Sequence, residues 1–595
     1  MIKNSNDLGD HIFSFATISD THVNHGEEIS NSAFAVNKRA NRRFRSIIAD
    51  LSRRDISFVI HLGDLVHPVP DAGILYSQAA EAYREIEANL NVPISYVPGN
   101  HDIGDTPVKG APAKPSTEVM IKIWEREFGK QYQAFSCKGV RFILLNAQLI
   151  NSGLPDELKQ KKWLENELSQ NNERKFLMLH HPVYLYQPDE PEHYDNTDEP
   201  GRSWLLELIE KYSVEAMFSG HSHNFWYDRV GTTDYYLAPA ICFVRLDFSE
   251  MQRQIPPAGS EHGRNDKAKL GYFIVNVYSK GHTVQFVRSF GAELGLNDKP
   301  AQLRKLAKTP CENDNPLIGF DLRQNWAEVV EISPSGGLDE FDRKPARNDY
   351  PLLSLIEMGI RDVRIPISDL RDPIRRQRLG KLCHLGLRPS IFSYGIPSNT
   401  DLNLIIASRE LLIDWEITID WDNLNKLHGD ISKIHAKTKL PIFISRMHSK
   451  KDVPTGAVYH HVINHGFTTS DTSQIDHLKS LKNLGVKGAI FRLSAKDQTS
   501  VTLKRIDKEV ADRGLFASVH FRVAGEDPAV AQEDNEATCR RIKEALDIIQ
   551  DLPSTRIFCD TLIDHDRGYF PRKGAIDKVG NPNMLLEVIR EAHQK

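Results

Sequence analysis

Short apolar runs alternate with longer amphipathic stretches through the first half of the chain. Six runs have the length and residue types of β-strands; they read IFSFATIS, ISFVIHLGD, ISYVPGN, RFILLNA, KFLMLHHP and EAMFSGHSH. The stretches between them repeat apolar positions at helical spacing, as at 40–53, 76–89 and 156–170. The pattern predicts a layered α/β domain, and because most of these strands end in a polar cluster, it places function at the strand ends.

The second half of the chain repeats apolar runs at a spacing typical of βα units. Nine runs are candidate strands: LIGFDL, AEVVEI, DVRIPIS, LRPSIFSYG, IDWEITID, LPIFISRM, VKGAIFRLS, LFASVHFR and TRIFCDTL. The segment is about 280 residues long, near the usual size of a (β/α)8 barrel. We therefore predict an eight-stranded TIM-like barrel, with an open doubly wound sheet as the alternative.

Two irregular segments divide these patterns. Residues 251–269 carry two prolines and no periodicity, which predicts a long loop, either a lid or a segment without function. Residues 296–315 have the composition of an interdomain connection. A chain of 595 residues exceeds what one hydrophobic core accommodates. The predicted organisation is a catalytic α/β domain at 1–295, a linker at 296–315 and a barrel domain at 316–595.

Composition and charge exclude several classes of protein. A net charge of −5 leaves no excess of Lys and Arg to grip nucleic acid. The six cysteines are widely spaced without a C-x-x-C pair, which indicates a reducing compartment rather than a disulfide framework. The N-terminus lacks a signal-peptide pattern, and no run of about 18 apolar residues occurs. We expect a cytoplasmic protein without a nucleic-acid or membrane partner; a homo-oligomer stays open.

Five polar clusters follow the predicted strands in order along the chain. They are DTH with Asp20 and His22, HLGD with Asp64, PGNHD with Asn100 and His101, HHP with His180 and His181, and GHSH with His221 and His223. A lone histidine at a strand end is usually a hydrogen-bonded residue, but five such clusters in succession are improbable by chance. Two adjacent divalent transition-metal ions need about eight ligand contacts of carboxylate, amide and imidazole type. The sequence therefore predicts a binuclear metal centre.

Asp64 stands alone between the other groups, so we assign it as the carboxylate that bridges the two ions. One ion takes Asp20, His22 and His223, and the other takes Asn100, His180 and His221. Iron, manganese, zinc and cobalt all accept such ligands, so the pair of divalent ions can be any of these. A water that bridges ions about 3.5 to 4 Å apart loses a proton near neutral pH and attacks phosphorus in line.

Residues beside the ligands are candidates for proton transfer and substrate binding. His101 follows a ligand without being assigned to a metal, so we predict that it donates a proton or hydrogen bond to the leaving oxygen. Asp102 is the predicted orienting partner of His101. His25, His67 and His181 are candidate substrate contacts.

The five clusters resemble the calcineurin-like metallophosphoesterase superfamily over about residues 13–289. Within it, their strings are similar to bacterial class III cyclic-nucleotide phosphodiesterases and their glycerophosphodiesterase relatives. The resemblance implies an N-terminal four-layer αββα sandwich. The position of the iron-binding tyrosine of purple acid phosphatases is His67 here, which disfavours that type of site. Neither GDLVHP nor GNHDIG contains an Arg to act as the phosphate clamp of the superfamily's protein phosphatases.

We expect a metal-dependent phosphoric ester hydrolase whose partner is a small-molecule phosphate ester. The preferred substrate is a phosphodiester of small organic or cyclic-nucleotide type, selected with the help of the barrel. Two alternatives stay open: a bifunctional enzyme with a second hydrolase or lyase site in the barrel, and a phosphomonoesterase with a ligand-sensing barrel. The barrel segment offers polar residues such as Arg364, Glu416 and His520, but no Glu pair that would serve as acid and nucleophile.

Overall fold

The computed structural model describes residues 2–594 apart from 31, 33, 34, 107–113, 171, 172, 250–265, 334–342, 449–464, 523–534 and 567–570. Most of the loop predicted at 251–269 lies outside the described residues. Contacts divide the chain into two units, which we name the sandwich unit (Leu8–Arg304 and Glu328–Leu353) and the barrel unit (Met1–Asp7, Lys305–Ala327 and Ser354–Lys595). The domain boundaries at residues 295 and 316 stay a prediction. In the structure, residues 328–353 belong to the sandwich unit.

Among its described residues, the first stretch of the sandwich unit contains eleven strands and seven α-helices. The strands are β1 (His11–Ile18), β2 (Val59–His61), β3 (Ile94–Tyr96), β4 (Gln133–Cys137), β5 (Val140–Leu144), β6 (Arg174–Met178), β7 (Ala216–Ser219), β8 (Trp226–Val230), β9 (Thr233–Leu237), β10 (Gly271–Tyr278) and β11 (Gly281–Arg288). The helices are α1 (Ala40–Leu51), α2 (Ile74–Glu87), α3 (Asn100–Ile103), α4 (Glu118–Phe128), α5 (Pro155–Gln170), α6 (Gly201–Lys211) and α7 (Leu246–Ser249).

The strands form two sheets, in the orders β11-β10-β1-β2-β3 and β4-β5-β6-β7-β9-β8. Alternate residues of a strand face one side of its sheet, so Phe13 and Phe15 of β1 both point into the core. The ring of Phe15 meets Phe142 of β5 at 5.1 Å and Phe176 of β6 at 6.0 Å, both edge to face. Such pairs add to the stability that apolar burial provides. The predicted αββα sandwich and the three predicted helices are confirmed.

The remaining strands are β12 (Gly319–Asp321), β13 (Glu328–Ile332), β14 (Lys344–Asn348), β15 (Asp362–Pro366), β16 (Arg388–Tyr394), β17 (Asp414–Asp420), β18 (Ile442–Met447), β19 (Val486–Leu493), β20 (Phe516–Phe521), β21 (Thr555–Cys559), β22 (His565–Asp566) and β23 (Pro571–Arg572). The remaining helices are α8 (Tyr350–Met358), α9 (Ser368–Arg371), α10 (Pro373–His384), α11 (Asn399–Ser408), α12 (His428–Thr438), α13 (Thr472–Ser480), α14 (Thr499–Ala511), α15 (Asn535–Leu546) and α16 (Met584–Ala592).

Eight strands of the barrel unit, β12 and β15 to β21, close into a parallel barrel in which β12 pairs with both β15 and β21. The predicted TIM-like barrel is therefore confirmed, and the open sheet is excluded. The ninth predicted run, AEVVEI, is β13, which pairs with β14 in an antiparallel hairpin of the sandwich unit. None of the described helices is long and apolar enough to cross a membrane.

Candidate metal centre

The register of the parallel strands brings the polar clusters to one edge of each sheet. Ile18 of β1 pairs with His61 of β2, and His61 pairs with Tyr96 of β3. In the second sheet, Met178 of β6 pairs with Phe218 of β7. The residues that follow these strand ends therefore converge, as expected for function at the carboxyl ends of parallel strands.

One set of donor atoms consists of Asp20, His22 and His223, all of them buried. The Nε2 atom of His223 lies 3.2 Å from Nε2 of His22 and 3.2 Å from Oδ1 of Asp20. Nε2 of His22 lies 3.5 Å from Oδ2 of Asp64. These are the residues assigned to one ion from the sequence.

The second set consists of Asn100, His180 and His221, which are also buried. Oδ1 of Asn100 lies 3.2 Å from Nε2 of His180 and 3.1 Å from Nδ1 of His221. Nε2 of His180 lies 3.4 Å from Oδ1 of Asp64. The structure thus brings all seven predicted ligands together, and the two oxygens of Asp64 face different sets.

These spacings fit a pair of bound cations. Donor atoms on one ion, with bonds of about 2.1 Å at angles of roughly 90 to 110°, lie about 3.0 to 3.4 Å apart. The neighbouring donor atoms of both sets fall at or close to this range. Oδ1 of Asp20 has no hydrogen-bond partner among the described residues although it is buried. An orphaned buried carboxylate oxygen of this kind calls for a cation.

Hydrogen bonds to backbone carbonyls select the tautomers of two ligand histidines. The Nδ1–H of His180 donates to the carbonyl of Leu62 at 2.7 Å, and the Nδ1–H of His223 donates to the carbonyl of Phe243 at 2.6 Å. The Nε2 lone pair of each neutral ring is therefore directed at the centre. Such bonds to the far nitrogen orient histidine ligands in metal sites generally.

The backbone takes an uncommon conformation at five of the seven ligands. The φ angles of Asp20, His22, Asp64, His221 and His223 are positive, between 44° and 70°. Non-glycine residues rarely adopt this region, and those that do cluster at functional sites. The left-handed residues turn the chain sharply after each strand, which aims the side chains inward.

Two glycines are needed because ligands pack against their backbone. A Cβ on Gly99 would lie 2.3 Å from Oδ1 of Asp64. A Cβ on Gly63, whose φ is +103°, would lie 2.4 Å from Nδ1 of His180. The glycines of the HLGD and PGNHD clusters therefore allow the ligands to approach each other.

The charged groups of the centre shift each other's pKa values. Burial raises the pKa of Asp64, but the charges of His180, His101 and His22 and the hydrogen bond from His180 together outweigh burial and hold this pKa well below its usual range. Burial lowers the pKa of His180, but the charges of Asp64 and Asp20 outweigh burial and raise this pKa to about 9. Burial lowers the pKa of His221 to about 4, against the opposing charge of Asp195. Without a cation, the centre therefore holds a proton on His180.

His101 lies at the rim of the centre and is half-buried. Its ring is 4.6 Å from the ring of His22, and its Nδ1–H donates to the carbonyl of His67 at 2.7 Å. Asp102 accepts hydrogen bonds from the backbone N–H groups of Leu65 and Gly99 instead, at 3.0 and 2.8 Å. The orienting contact predicted for Asp102 is thus made by the His67 carbonyl. Burial, together with the charge of Asp64, raises the pKa of Asp102 to about 8.

The three predicted substrate histidines lie in different places. His67 borders the first donor set, with Nδ1 at 3.4 Å from Nδ1 of His22. The ring of His181 packs on His221 at 4.1 Å. His25 is half-buried, and its Nδ1 has no hydrogen-bond partner within the described ranges. The substrate roles stay predictions.

The segment around Tyr194 and Asp195 supports the second donor set, and sequence reasoning missed both residues. The hydroxyl of Tyr194 accepts from Nδ2 of Asn100 at 3.2 Å, and its carbonyl accepts from Nε2 of His181 at 2.8 Å. Oδ1 of Asp195 lies 3.1 Å from Nε2 of His221. The stretch PEHYDNTDEP is polar and without periodicity, so nothing in it signals these contacts.

A small cavity of about 20 Å³, partly open to solvent, lies beside His181. Most of its lining is polar; the lining residues are Thr106, Ala147, Ile150, Asn151, His181, Asn196, Thr197 and Asp198. The Nδ1 atom of His181 is buried without a hydrogen-bond partner in the described part of the chain. The pocket therefore offers hydrogen-bonding groups next to the second donor set.

Polar side chains also gather at the ends of the barrel strands. Arg364 donates to both oxygens of Glu416 at 2.7 Å and to Asp321 at 3.1 Å, and Nε2 of His520 lies 3.2 Å from Glu416. Glu416, His465 and His520 are close enough to share an ion, but Arg364 occupies both Glu416 oxygens and would repel a cation. We assign the network to joining barrel strands; the predicted second catalytic site stays a prediction.

Comparison with known proteins identifies the family of the sandwich unit. The family model for calcineurin-like phosphoesterase matches residues 13–225. Serine/threonine-protein phosphatase CPPED1 of Danio rerio is 32% identical over 175 residues, which cover 28% of this chain and 54% of that protein. CPPED1 of Homo sapiens is 31% identical over 176 residues, with 28% and 53% covered. The chain thus spans about half the length of the curated relatives it matches.

A solved dimetal phosphatase from Danio rerio aligns with 47% of this chain and 96% of its own length, at 14% identity and a TM-score of 0.33. With the family match over the strand ends that carry the ligands, residues 13–225 of this chain belong to the calcineurin-like phosphoesterase superfamily.

Proposed function

We propose that the sandwich unit hydrolyses a phosphoric ester with two divalent cations. The observation that carries this proposal is the position of Asp64, whose Oδ1 faces His180 and whose Oδ2 faces His22. One carboxylate between two donor sets is the arrangement of a bridged pair of ions. Bound cations there supply Lewis-acid chemistry to a phosphate ester and to the water that attacks it.

In this proposal, side chains of the sandwich unit bind the two cations and protonate the leaving group. Asp20, His22 and His223 hold one cation, and Asn100, His180 and His221 hold the other. His101 is placed to act on the substrate, because the His67 carbonyl takes its Nδ1–H and leaves Nε2 for the leaving oxygen. A proton on Nε2 would neutralise the developing alkoxide, and such transfers accelerate reactions by about 10²- to 10⁴-fold.

A phosphodiester is the preferred substrate class. A monoester carries close to two negative charges at neutral pH, because its second pKa is about 6, whereas a diester carries one. Arg245 and Lys344, two cationic side chains on the His221 side, are both engaged by Asp195 and Asp247. This balance supports the less charged ester.

A phosphomonoester is the second candidate, and the relatives favour it. The two CPPED1 relatives compared above are both named serine/threonine-protein phosphatases. A phosphoserine side chain or a small phosphomonoester would then occupy the same centre with the same seven ligands.

A direct comparison of esters tests the proposal on the full-length protein loaded with Mn²⁺. We expect bis(p-nitrophenyl) phosphate to be hydrolysed with a higher kcat/KM than p-nitrophenyl phosphate. The exposed His11 at the far end of β1 provides a matched control, so His11→Ala should leave both rates unchanged. Preference for the monoester would favour the second candidate, and hydrolysis of neither ester by metal-loaded protein would overturn the proposed activity.

A further inference from the structure

Residues 344–350 pack on the segment that follows the GHSH cluster, although they come after the first barrel strand in the chain. Arg347 of β14 lies 3.1 Å from Oδ2 of Asp228 and places its guanidinium 4.6 Å from the ring of Trp226. The hydroxyl of Tyr350 donates to Oδ1 of Asn224 at 2.7 Å. These contacts hold β14 to β8, and the first residue of α8 to the residue just after the ligand His223.

The first residue of β14, Lys344, sends its amine into a buried charge network. Its side chain is 1% exposed. Nζ donates to Oδ2 of Asp195 and, at 2.7 Å, to Oδ2 of Asp247. Arg245 donates to the same two carboxylates, at 2.6 Å to Asp195 and 2.7 Å to Asp247. Two buried carboxylates are thus balanced by two cations.

The network ends on a metal ligand. Oδ1 of Asp195 lies 3.1 Å from Nε2 of His221, and Nδ1 of the same ring lies 3.1 Å from Oδ1 of Asn100. At this distance the negative charge of Asp195 favours a proton on Nε2 of His221, which leaves the Nδ1 lone pair facing the second donor set. Carboxylates that hold the far nitrogen of a ligand histidine tune metal affinity in this way.

Loss of the Lys344 charge would disturb this contact. Asp195 is completely buried, and removal of one partner from a buried ion pair leaves a charge without full compensation. The carboxylate of Asp195 would then turn toward the remaining cation, Arg245, and away from His221.

We propose that Lys344 is a positioning residue for the metal centre, so that the hairpin of β13 and β14 completes the site that residues 13–225 begin. The inference rests on the proposed two-metal function. Lys344 acts through Asp195 on the cation held by Asn100, His180 and His221, and it leaves the cation of the other donor set unaffected.

Zn²⁺ titration of the full-length protein against a chromophoric chelator tests the inference. We expect two sites in the wild type, and in Lys344→Met we expect one of them to weaken by about 10- to 100-fold while the other is unchanged. Glu331→Gln, on the exposed face of β13 in the same hairpin, is the matched control and should bind like the wild type. A merely structural Lys344 would lower the melting temperature of the metal-free protein and leave both Zn²⁺ affinities alone.

A double-mutant comparison tests whether the effect runs through Asp195. If it does, Asp195→Asn combined with Lys344→Met should bind Zn²⁺ as weakly as Asp195→Asn alone. The comparison of the double variant with Asp195→Asn can still be made if Lys344→Met alone does not fold. In the double variant, the charges of Asp247 and Arg245 balance each other.

The outcomes separate the inference from the function on which it rests. A wild type that binds fewer than two Zn²⁺ ions would overturn the metal centre itself. Two sites with equal affinities in wild type and folded Lys344→Met, or additive losses in the double variant, would overturn only the role of Lys344.

Discussion

The Nε2 atoms of His22 and His223 lie 3.2 Å apart, although 201 positions separate the two residues in the chain. Because Nδ1–H of His223 is used by the Phe243 carbonyl, its Nε2 presents a lone pair to the other ring. Burial, reinforced by the positive charge of His101, holds the pKa of His22 well below its usual range. Two imidazole nitrogens this close call for a proton or a cation between them.

Metal binding should therefore stabilise the fold. A cation that binds only the folded state, at a concentration 100 times its Kd, adds about 2.7 kcal/mol to the free energy of unfolding. We expect the melting temperature of the sandwich unit to fall when a chelator removes the metal and to recover on addition of Mn²⁺. Calorimetry of the full-length protein checks this, and an unchanged transition would contradict it.

Asp64→Asn should affect both cations, whereas changes elsewhere in the centre should affect one. The substitution removes the negative charge that faces both donor sets, so elemental analysis should find the content of both metals reduced. Asn100→Ala is the comparison, since its oxygen belongs to one set only. A single remaining, fully occupied site in Asp64→Asn would argue against the bridge.

His101→Ala should keep its metals and lose rate. Without a proton donor, the loss should be about 10²- to 10⁴-fold on a diester with a poor alkyl leaving group and much smaller on one with p-nitrophenol. Steady-state kinetics on the two esters measure this difference. Equal losses on both esters would assign His101 another task.

Metal affinity should rise with pH up to about 9. The pKa of His180 is raised to about 9 because Asp64 and Asp20 outweigh burial, so below this pH a proton on Nε2 competes with the cation. Above it the proton is gone and the affinity levels off. Chelator competition between pH 6 and 9.5 measures the slope, and proton release on metal addition at pH 7 provides an independent check.

Stability in acid should depend on Glu215. Burial raises the pKa of Glu215, but hydrogen bonds from His282 at 2.8 Å and Arg174 at 2.6 Å outweigh burial and lower this pKa to about 2. A lowered pKa stabilises the fold above the unfolded value, near 4.5, and this stability disappears as the pH falls toward 2. The contribution of Glu215 to the free energy of unfolding is roughly 3 kcal/mol.

Glu215→Gln should therefore flatten the decline in the free energy of unfolding between pH 4.5 and 2, as measured with urea. The exposed Glu210 of α6 offers a control, and Glu210→Gln should retain the decline. Parallel declines in Glu215→Gln and wild type would mean that other carboxylates cause it.

The ligands can be predicted from the sequence because metal coordination requires particular side chains and because these side chains follow successive strands along the chain. Asp20, Asp64 and Asn100 follow apolar runs with a clear period, and the structure brings their side chains close together; their role as ligands stays a prediction. The left-handed φ angles at His22 and His221 could not be predicted, since only a few per cent of non-glycine residues adopt them and the local sequence does not say which.

The run AEVVEI shows where local pattern fails. Its β-branched residues predict a strand correctly, but a period of two does not say which sheet the strand joins. Glu328–Ile332 pairs with Lys344–Asn348 rather than with the barrel. The contact of Lys344 with Asp195 spans 149 positions, and no pattern within either segment announces it.

The interleaving of the two units along the chain also sets an order of events during synthesis. Asp247 is made 97 residues before Lys344 (344 − 247), which corresponds to about 5 to 20 s at roughly 5 to 20 residues per second. During that interval Asp195 and Asp247 can pair with Arg245, but the amine of Lys344 has not yet been synthesised. The pairing of β12 with β21 is delayed for longer, because β21 ends only at Cys559. Each unit of the nascent protein is thus completed by a segment that emerges after the other has begun.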